Sequence, residues 1–141
     1  MHINKLDMCG IIKGLNLKFS PFVTFKYCYR YKNNLINASA NINGPHTTIS
    51  FVFNKNKISF NDFYIILFHE FGHIIGEHKV RKRIRIKDRE INAWKYGWDL
   101  IRLDYKVKEL IKEDYRNEIV CALSSYNIGL DKILETVGYC K

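Results

Sequence analysis

The stretch "LFHEFGHIIGEHKVRKRIRIKDREINAW" (residues 67–94) decides how the rest of the chain is read. It sets His69 and His73 four residues apart, with Glu70 beside the first. Residues i and i+4 share one face of a helix, a turn apart. Two imidazoles so placed can grip one zinc ion at about 2.0–2.1 Å each. Glu70 sits beside them as the acid/base that takes a proton from an activated water and passes it to a leaving amine. With five histidines in 141 residues, the pattern H-E-x-x-H is expected by chance roughly 0.01 times. Its simplest rival is a pair of buried core histidines with a surface glutamate beside them.

Working outward, a helix is expected from about Phe60 to Gly76. Ser59 or Asn61 is placed to cap it, and Asp62 suits the positive end of its dipole. At about 100° per residue, Phe63, Leu67, Phe71 and Ile74 group with Tyr64, Phe68 and Ile75. Ile65 and Ile66 fall outside that arc, so the helix is expected to be buried nearly all round. Histidines on such a helix need partners.

Catalytic zinc usually has three protein ligands plus water, so a third is required. His78 stands one residue before the place where H-E-x-x-H-x-x-G-x-x-H would need it, and Lys79 occupies that place. About 180° of helix separates His78 from His69. Glu90 is better placed, at the expected start of the next helix, with Ala93, Trp94 and Gly97 offering a small-residue face to the first. Asp88 is the fallback. The competing role for either acid is a first-turn carboxylate favoured by the helix dipole.

Before residue 60 the patterning is that of strands. In "FVTFKYCYRY" Val23, Phe25, Tyr27, Tyr29 and Tyr31 alternate with Thr24, Lys26, Cys28 and Arg30, a period of two rich in aromatics. "HTTISFVFN" puts Thr47, Ile49, Phe51 and Phe53 on one face. Between them "NNLINASANINGP" reads as a loop or weak strand with a turn at Asn43-Gly44, and "NKNK" as a turn. Residues 3 to 15 are expected to form a short helix ended by Gly14. After the motif, helices are expected over about 88–103, with Ile91, Trp94, Trp98 and Ile101 as its apolar stripe, and over about 106–123, through Val107, Leu110, Ile111, Ile119 and Val120. A last short helix is expected after Gly129. Trp94 and Trp98 are read as core.

Hydrophobic residues make up 47% and aromatics 14% of the chain, which excludes a disordered polymer. The 141 residues suffice for one compact domain, with no repeat and no linker. The formal charge of +9 favours an acidic partner, nucleic acid or protein, against the plainer reading of a solvated basic surface. The run 79–87 carries Lys79, Arg81, Lys82, Arg83, Arg85 and Lys87. A solvated loop or short strand pair is the first expectation there; contact with acidic substrate or DNA phosphates is the second. Cys9, Cys28, Cys121 and Cys140 make no C-x-x-C, so a cysteine zinc cluster is not expected and reduced thiols are. No apolar run approaches the roughly 18 residues of a membrane span, and no secretion signal is visible. A cytoplasmic protein is expected. Tyr96, Tyr105 and His46 are candidates to stabilise an oxyanion, with aromatic core or surface the plainer role of each.

Taken together, "TISFVFNKNKISFNDFYIILFHEFGHIIGEH" and the later "DREINAW" resemble the metallopeptidase domain of the ImmA/IrrE family over roughly residues 46–103. That family has a strand, a helix with H-E-x-x-H, and a following helix that opens with E-x-x-A. By position, the resemblance implies zinc held by His69, His73 and Glu90, with Glu70 as catalytic acid/base. It also implies an α+β, zincin-like (gluzincin-like) single domain, a small sheet packed against the motif helix and two to three further helices. It further implies cytoplasmic, often phage- or mobile-element-linked cleavage of a protein substrate such as a transcriptional regulator. The chain departs from the family after Ala93, where "WKYGWDLIRLDY" replaces the usual phenylalanine-alanine pair and Leu-Leu-Met-Pro segment. A helix-turn-helix is not visible. In such an enzyme a substrate chain is expected to add along an exposed sheet edge, the strand 46–53. The alternative is a non-catalytic basic module that associates with DNA or an acidic protein.

Overall fold

The computed structural model describes residues 2–4, 10, 13–14, 16–17, 23–29, 37–43, 46–53, 57–79 and 84–141. In chain order the bounded elements are β1 His2–Asn4, β2 Val23–Tyr29, β3 Asn37–Asn43, β4 His46–Phe53, β5 Lys57–Ser59, α1 Phe60–Lys79, α2 Ile86–Ile101, α3 Tyr105–Ser125 and α4 Leu130–Tyr139. Helices account for most of the described residues. Contacts gather in two compact units, Met1–Ile66 and Leu67–Lys141.

In the first unit β4 is the centre of a three-stranded sheet, order β2-β4-β3. β2 runs parallel to it, Val23 opposite Thr47 and Tyr29 opposite Phe53. β3 runs antiparallel, Asn43 opposite His46 and Asn37 opposite Val52. Thr47 and Ile49, both buried, share a face as period-two alternation requires. The weak segment 37–43 is a full strand: asparagine and alanine are poor strand formers, and pairing with β4 overrides that preference. The turn expected at Asn43-Gly44 runs outside the described residues. One expectation is corrected here. β4 has a hydrogen-bonded strand on each side, so residues 46–53 offer no free edge for a substrate chain, and β2 and β3 are the edges.

The expected helix over 3–15 is corrected at its start, while Gly10, Lys13 and Gly14 have the helical backbone expected of them. His2–Asn4 pairs antiparallel with β5, Ile3 opposite Ile58, a long-range partner that local patterning does not reveal. Past Gly14, Asn16 and Leu17 also have helical backbone.

α1 begins where expected. The Ser59 hydroxyl accepts from the Asp62 amide at 3.5 Å, and Phe63, Ile65 and Leu67 are buried. It continues three residues past Gly76, to Lys79. α2 starts at Ile86 and ends at Ile101, two residues short of expectation. Asp104 explains the early stop. Its carboxylate accepts from the amides of Lys106 and Val107 at 3.0 and 3.3 Å, an N-cap whose extended backbone cannot belong to the preceding helix. Ile84 and Arg85 precede α2 without regular structure; residues 80–83 lie outside the described ones.

α3 closes in a Schellman turn. Ile128 N–H donates to Leu123 O at 3.3 Å and Asn127 N–H to Ser124 O at 3.1 Å, with Asn127 left-handed at φ 57° and Ile128 buried, the combination this motif uses. The core of the second unit is Trp98, Ile101, Ile111, Tyr115, Ile119, Leu123 and Ile133, all buried. Each such aliphatic side chain stabilises the fold by roughly 1.5–3 kcal/mol. Leu110 and Val120 are 50% and 41% exposed; the inward stripe of α3 runs Ile111, Tyr115, Ile119, Leu123 at strict i, i+4 spacing. Cys121 and Cys140 are free thiols, and burial pushes Cys140 up to about 12.

Candidate metal centre

Two close approaches bring α1 and α2 together. A Cβ on Gly72 would lie 1.9 Å from the Ala93 carbonyl oxygen, and one on Gly97 would lie 2.6 Å from that of Phe68. Only glycine leaves room for either crossing. Advancing along α1 from Phe68 to Gly72 retreats along α2 from Gly97 to Ala93, so the helices pass antiparallel. Glu90, one turn before Ala93, is thereby carried to the histidine face of α1.

There its carboxylate spans both rings. Oε2 is 3.2 Å from His69 Nε2 and Oε1 is 3.0 Å from His73 Nε2. The two Nε2 atoms are themselves 3.2 Å apart. Glu70, 6% exposed, joins the group: His69, Glu70 and His73 offer ligand atoms within 4.8 Å of one another. The expected residues His69, Glu70, His73 and Glu90 are thus brought to one place. Asp88 is exposed in the first turn of α2. The backbone puts position 78 half a turn of helix from His69, and its side chain is outside the described ones.

The rings are held from behind. Trp94 is buried and tilts over His69, centroids 4.1 Å apart. Tyr115 meets Trp94 edge-on at 5.1 Å and donates its hydroxyl proton to the Trp94 carbonyl at 2.5 Å. Trp94 and Trp98 are core residues, as expected, and Trp94 also forms the wall of the site.

The electrostatics follow from burial and this geometry. Burial alone would raise the Glu90 carboxyl, but hydrogen bonds from His69 and His73 and their charge outweigh it and hold Glu90 at about 2. Burial lowers His69, and the nearby Glu90 does not fully offset that. Burial pulls at His73 too, yet Glu90 and Glu70 together leave it raised.

The donor set fits a small divalent cation. A tetrahedral zinc with bonds of about 2.0–2.1 Å spaces its ligand atoms about 3.3 Å apart; here the two histidine nitrogens are 3.2 Å apart, and each lies 3.0 to 3.2 Å from its own oxygen of the Glu90 carboxylate. Two nitrogens and one carboxylate suit zinc among the common metals.

Of the residues weighed for an oxyanion, Tyr96 turns its ring to Gly76 and Tyr105 is 72% exposed at the start of α3; the His46 side chain is outside the described ones. Tyr126 went unforeseen. Burial, and then the negative charge of Glu90 and Glu70, raise its pKa. The signal that could have found it is the C-cap position itself, where a Schellman turn brings the chain back toward α2.

Compared with known proteins, the chain matches no family model, no curated protein and no solved structure.

Proposed function

We propose that the protein is a zinc-dependent endopeptidase, a remote relative of the ImmA/IrrE metallopeptidases with a zincin-like arrangement of its motif helix. The observation that carries this reading is the convergence of His69, His73 and Glu90 within 3.2 Å of one another, with Glu70 buried alongside. His69, His73 and Glu90 hold the ion. Once bound, it supplies Lewis acidity, bringing the pKa of water at the site to about 7 and polarising the scissile carbonyl. Glu70 accepts the proton of the attacking water and returns it to the amine as the C–N bond breaks. Trp94 and the tight crossing keep the ligands from relaxing apart, so little reorganisation is left for the reaction step. The substrate is a protein, in the cytoplasm; the family resemblance points to a transcriptional regulator.

Metal analysis tests the site. Wild type and Glu70→Gln are expected to carry one zinc per chain, and His69→Ala and Glu90→Ala none. Glu70→Gln is further expected to accumulate its uncut partner where wild type yields fragments. Cleavage persisting in that variant removes Glu70 from the mechanism.

The charge of +9 supports a second reading, a basic module that binds DNA or an acidic protein without cutting it. It requires an intact partner in complex with wild type, binding that weakens steeply with salt, and a Glu70→Gln variant that behaves like wild type. No helix among the described residues is long and apolar enough to cross a membrane.

A further inference from the structure

α3 buries one stripe, Ile111, Tyr115, Ile119 and Leu123, and beside it carries a second that faces outward. Tyr105, Glu109, Lys112, Glu113, Arg116 and Val120 recur at the three- and four-residue spacing of one helix face. A cleft of about 520 Å³ opens along this stripe, lined by the four charged residues, Val120 and, from α4, Val137. Leu130 and Leu134 stand on the Val137 side of α4, seven and three residues before it, and are 67% and 57% exposed. Among the described residues none of the four charges makes an ion pair, and the Arg116 Nε is buried without a hydrogen-bond partner. Unpaired charges beside bare leucines mark a face that binds something able to answer both.

The order of the charges says what that is. From 109 to 116 they run acid, base, acid, base, a pattern that is its own complement about the point midway between Lys112 and Glu113. Glu109 and Arg116 lie equally far from that point, about 5 Å along the helix axis, and Tyr105 and Val120 about 11 Å. A half-turn about an axis through it, perpendicular to α3, lays a second copy antiparallel and sets every acid opposite a base. Glu109 meets the partner's Arg116, and Lys112 meets the partner's Glu113. The exposed Tyr105 meets the partner's Val120, beside the leucines of α4. We propose that the groove between α3 and α4 is the self-association face of the protein, an isologous two-fold contact in which each residue and its mate exchange places. The four charges sum to zero, so the touching faces do not repel although each chain carries +9. The contact uses no residue of the metal centre and stands whether or not that centre holds zinc.

The test is sedimentation of the full chain from micromolar to millimolar concentration. Wild type is expected to pass from 16.7 kDa to twice that mass. Glu109→Lys sets a lysine against the partner's Arg116, and Arg116→Glu sets a glutamate against the partner's Glu109. The two-fold counts each clash twice, so either variant is expected to dimerise about tenfold more weakly or worse. Mixed in equal amounts, the two variants are expected to pair with each other as wild type pairs with itself, because every contact between them is again acid to base. The double variant Glu109→Lys/Arg116→Glu is expected to dimerise alone for the same reason. A role of these charges within one chain predicts no recovery on mixing. Should either variant fail to fold, Lys112→Glu mixed with Glu113→Lys makes the same test at the central pair. A wild type that stays at 16.7 kDa throughout overturns the proposal, as does a dimer that the single charge reversals leave intact or that mixing fails to restore.

Discussion

Replacing Gly72 by alanine adds one methyl group at the crossing that delivers Glu90. That methyl would stand 1.9 Å from the Ala93 carbonyl oxygen, 2.7 Å from its carbon and 3.0 Å from Cα, where ordinary contact begins at 3.4 Å. All three atoms are backbone, so no side chain can swing aside. Relief requires α2 to back away by about 1.5 Å at Ala93. Glu90 is one turn along the same rigid helix and moves with it, stretching contacts of 3.0 and 3.2 Å to about 4 Å or more, against a metal-site tolerance of about 0.2 Å. Zinc affinity is expected to fall at least about 100-fold, the upper range for losing an outer partner, because a ligand itself is displaced. Overpacking costs about 1–3 kcal/mol or somewhat more, partly offset by the roughly 1 kcal/mol that alanine gains over glycine inside a helix. The melting temperature of the metal-free protein should drop by roughly 5–10 °C. Gly76→Ala is the control on the same helix. Its methyl would meet the Tyr96 ring at 3.4 and 3.5 Å, ordinary contact, so zinc binding should hold and melting should rise by a few degrees. Chelator competition and calorimetry on the two variants read both quantities. A Gly72→Ala protein that binds zinc and melts like wild type refutes the claim that this crossing positions the third ligand.

Other perturbations follow from the same geometry. Tyr115→Phe removes the hydroxyl that donates to the Trp94 carbonyl at 2.5 Å, a carbonyl that keeps its place in the α2 ladder, and should cost about 0.5–1.5 kcal/mol, seen as a lower denaturant midpoint with the slope unchanged. In the metal-free protein Glu90 is depressed from 4.5 to about 2, so its contribution to stability is present above about 4.5 and is lost as pH falls toward 2. Denaturation followed between those limits should show that decline, and Glu90→Gln should flatten it. His78→Ala and Asp88→Asn are expected to keep full zinc stoichiometry, and loss of metal in either would reopen the choice of third ligand.

How far the site could be read in advance depended on the range of the physics involved. The imidazole pair is a matter of helical pitch, so His69 and His73 were legible from spacing alone. Glu90 was legible for a second reason: Ala93 and Gly97, at one-turn spacing, mark a helix face that another helix can approach closely, and a carboxylate at the head of that face travels with it. Sequence left Asp88 and His78 open because the loop between α1 and α2 has no pattern that sets its exit angle. The strands were harder. The segment 37–43 carries little intrinsic preference for a strand and takes its conformation from β4, and His2–Asn4 from β5, partners separated in the chain by turns whose direction composition does not state. The central place of β4 is of the same kind, since alternation reports which face is buried and says nothing about which edges are paired.

Tyr126 marks where local reading stops. It lies 36 residues beyond Glu90 by number, in a stretch, Ser124 to Gly129, that reads only as a helix ending. What places it is the left-handed backbone at Asn127, a conformation that asparagine tolerates better than most residues. On the proposed reading the motif residues supply three ligands and a base, while the stiffness of the group comes from positions with no catalytic signature. Gly72 and Gly97 do so by lacking side chains, Trp94 and Tyr115 by filling the wall, and Asn127 by turning the chain. A variant that preserves H-E-x-x-H and Glu90 but loses those five should keep the chemistry of the donor set and lose its preorganisation. Zinc would then bind loosely and exchange readily, because nothing would hold the Glu90 carboxylate within bonding distance of both rings before the ion arrives.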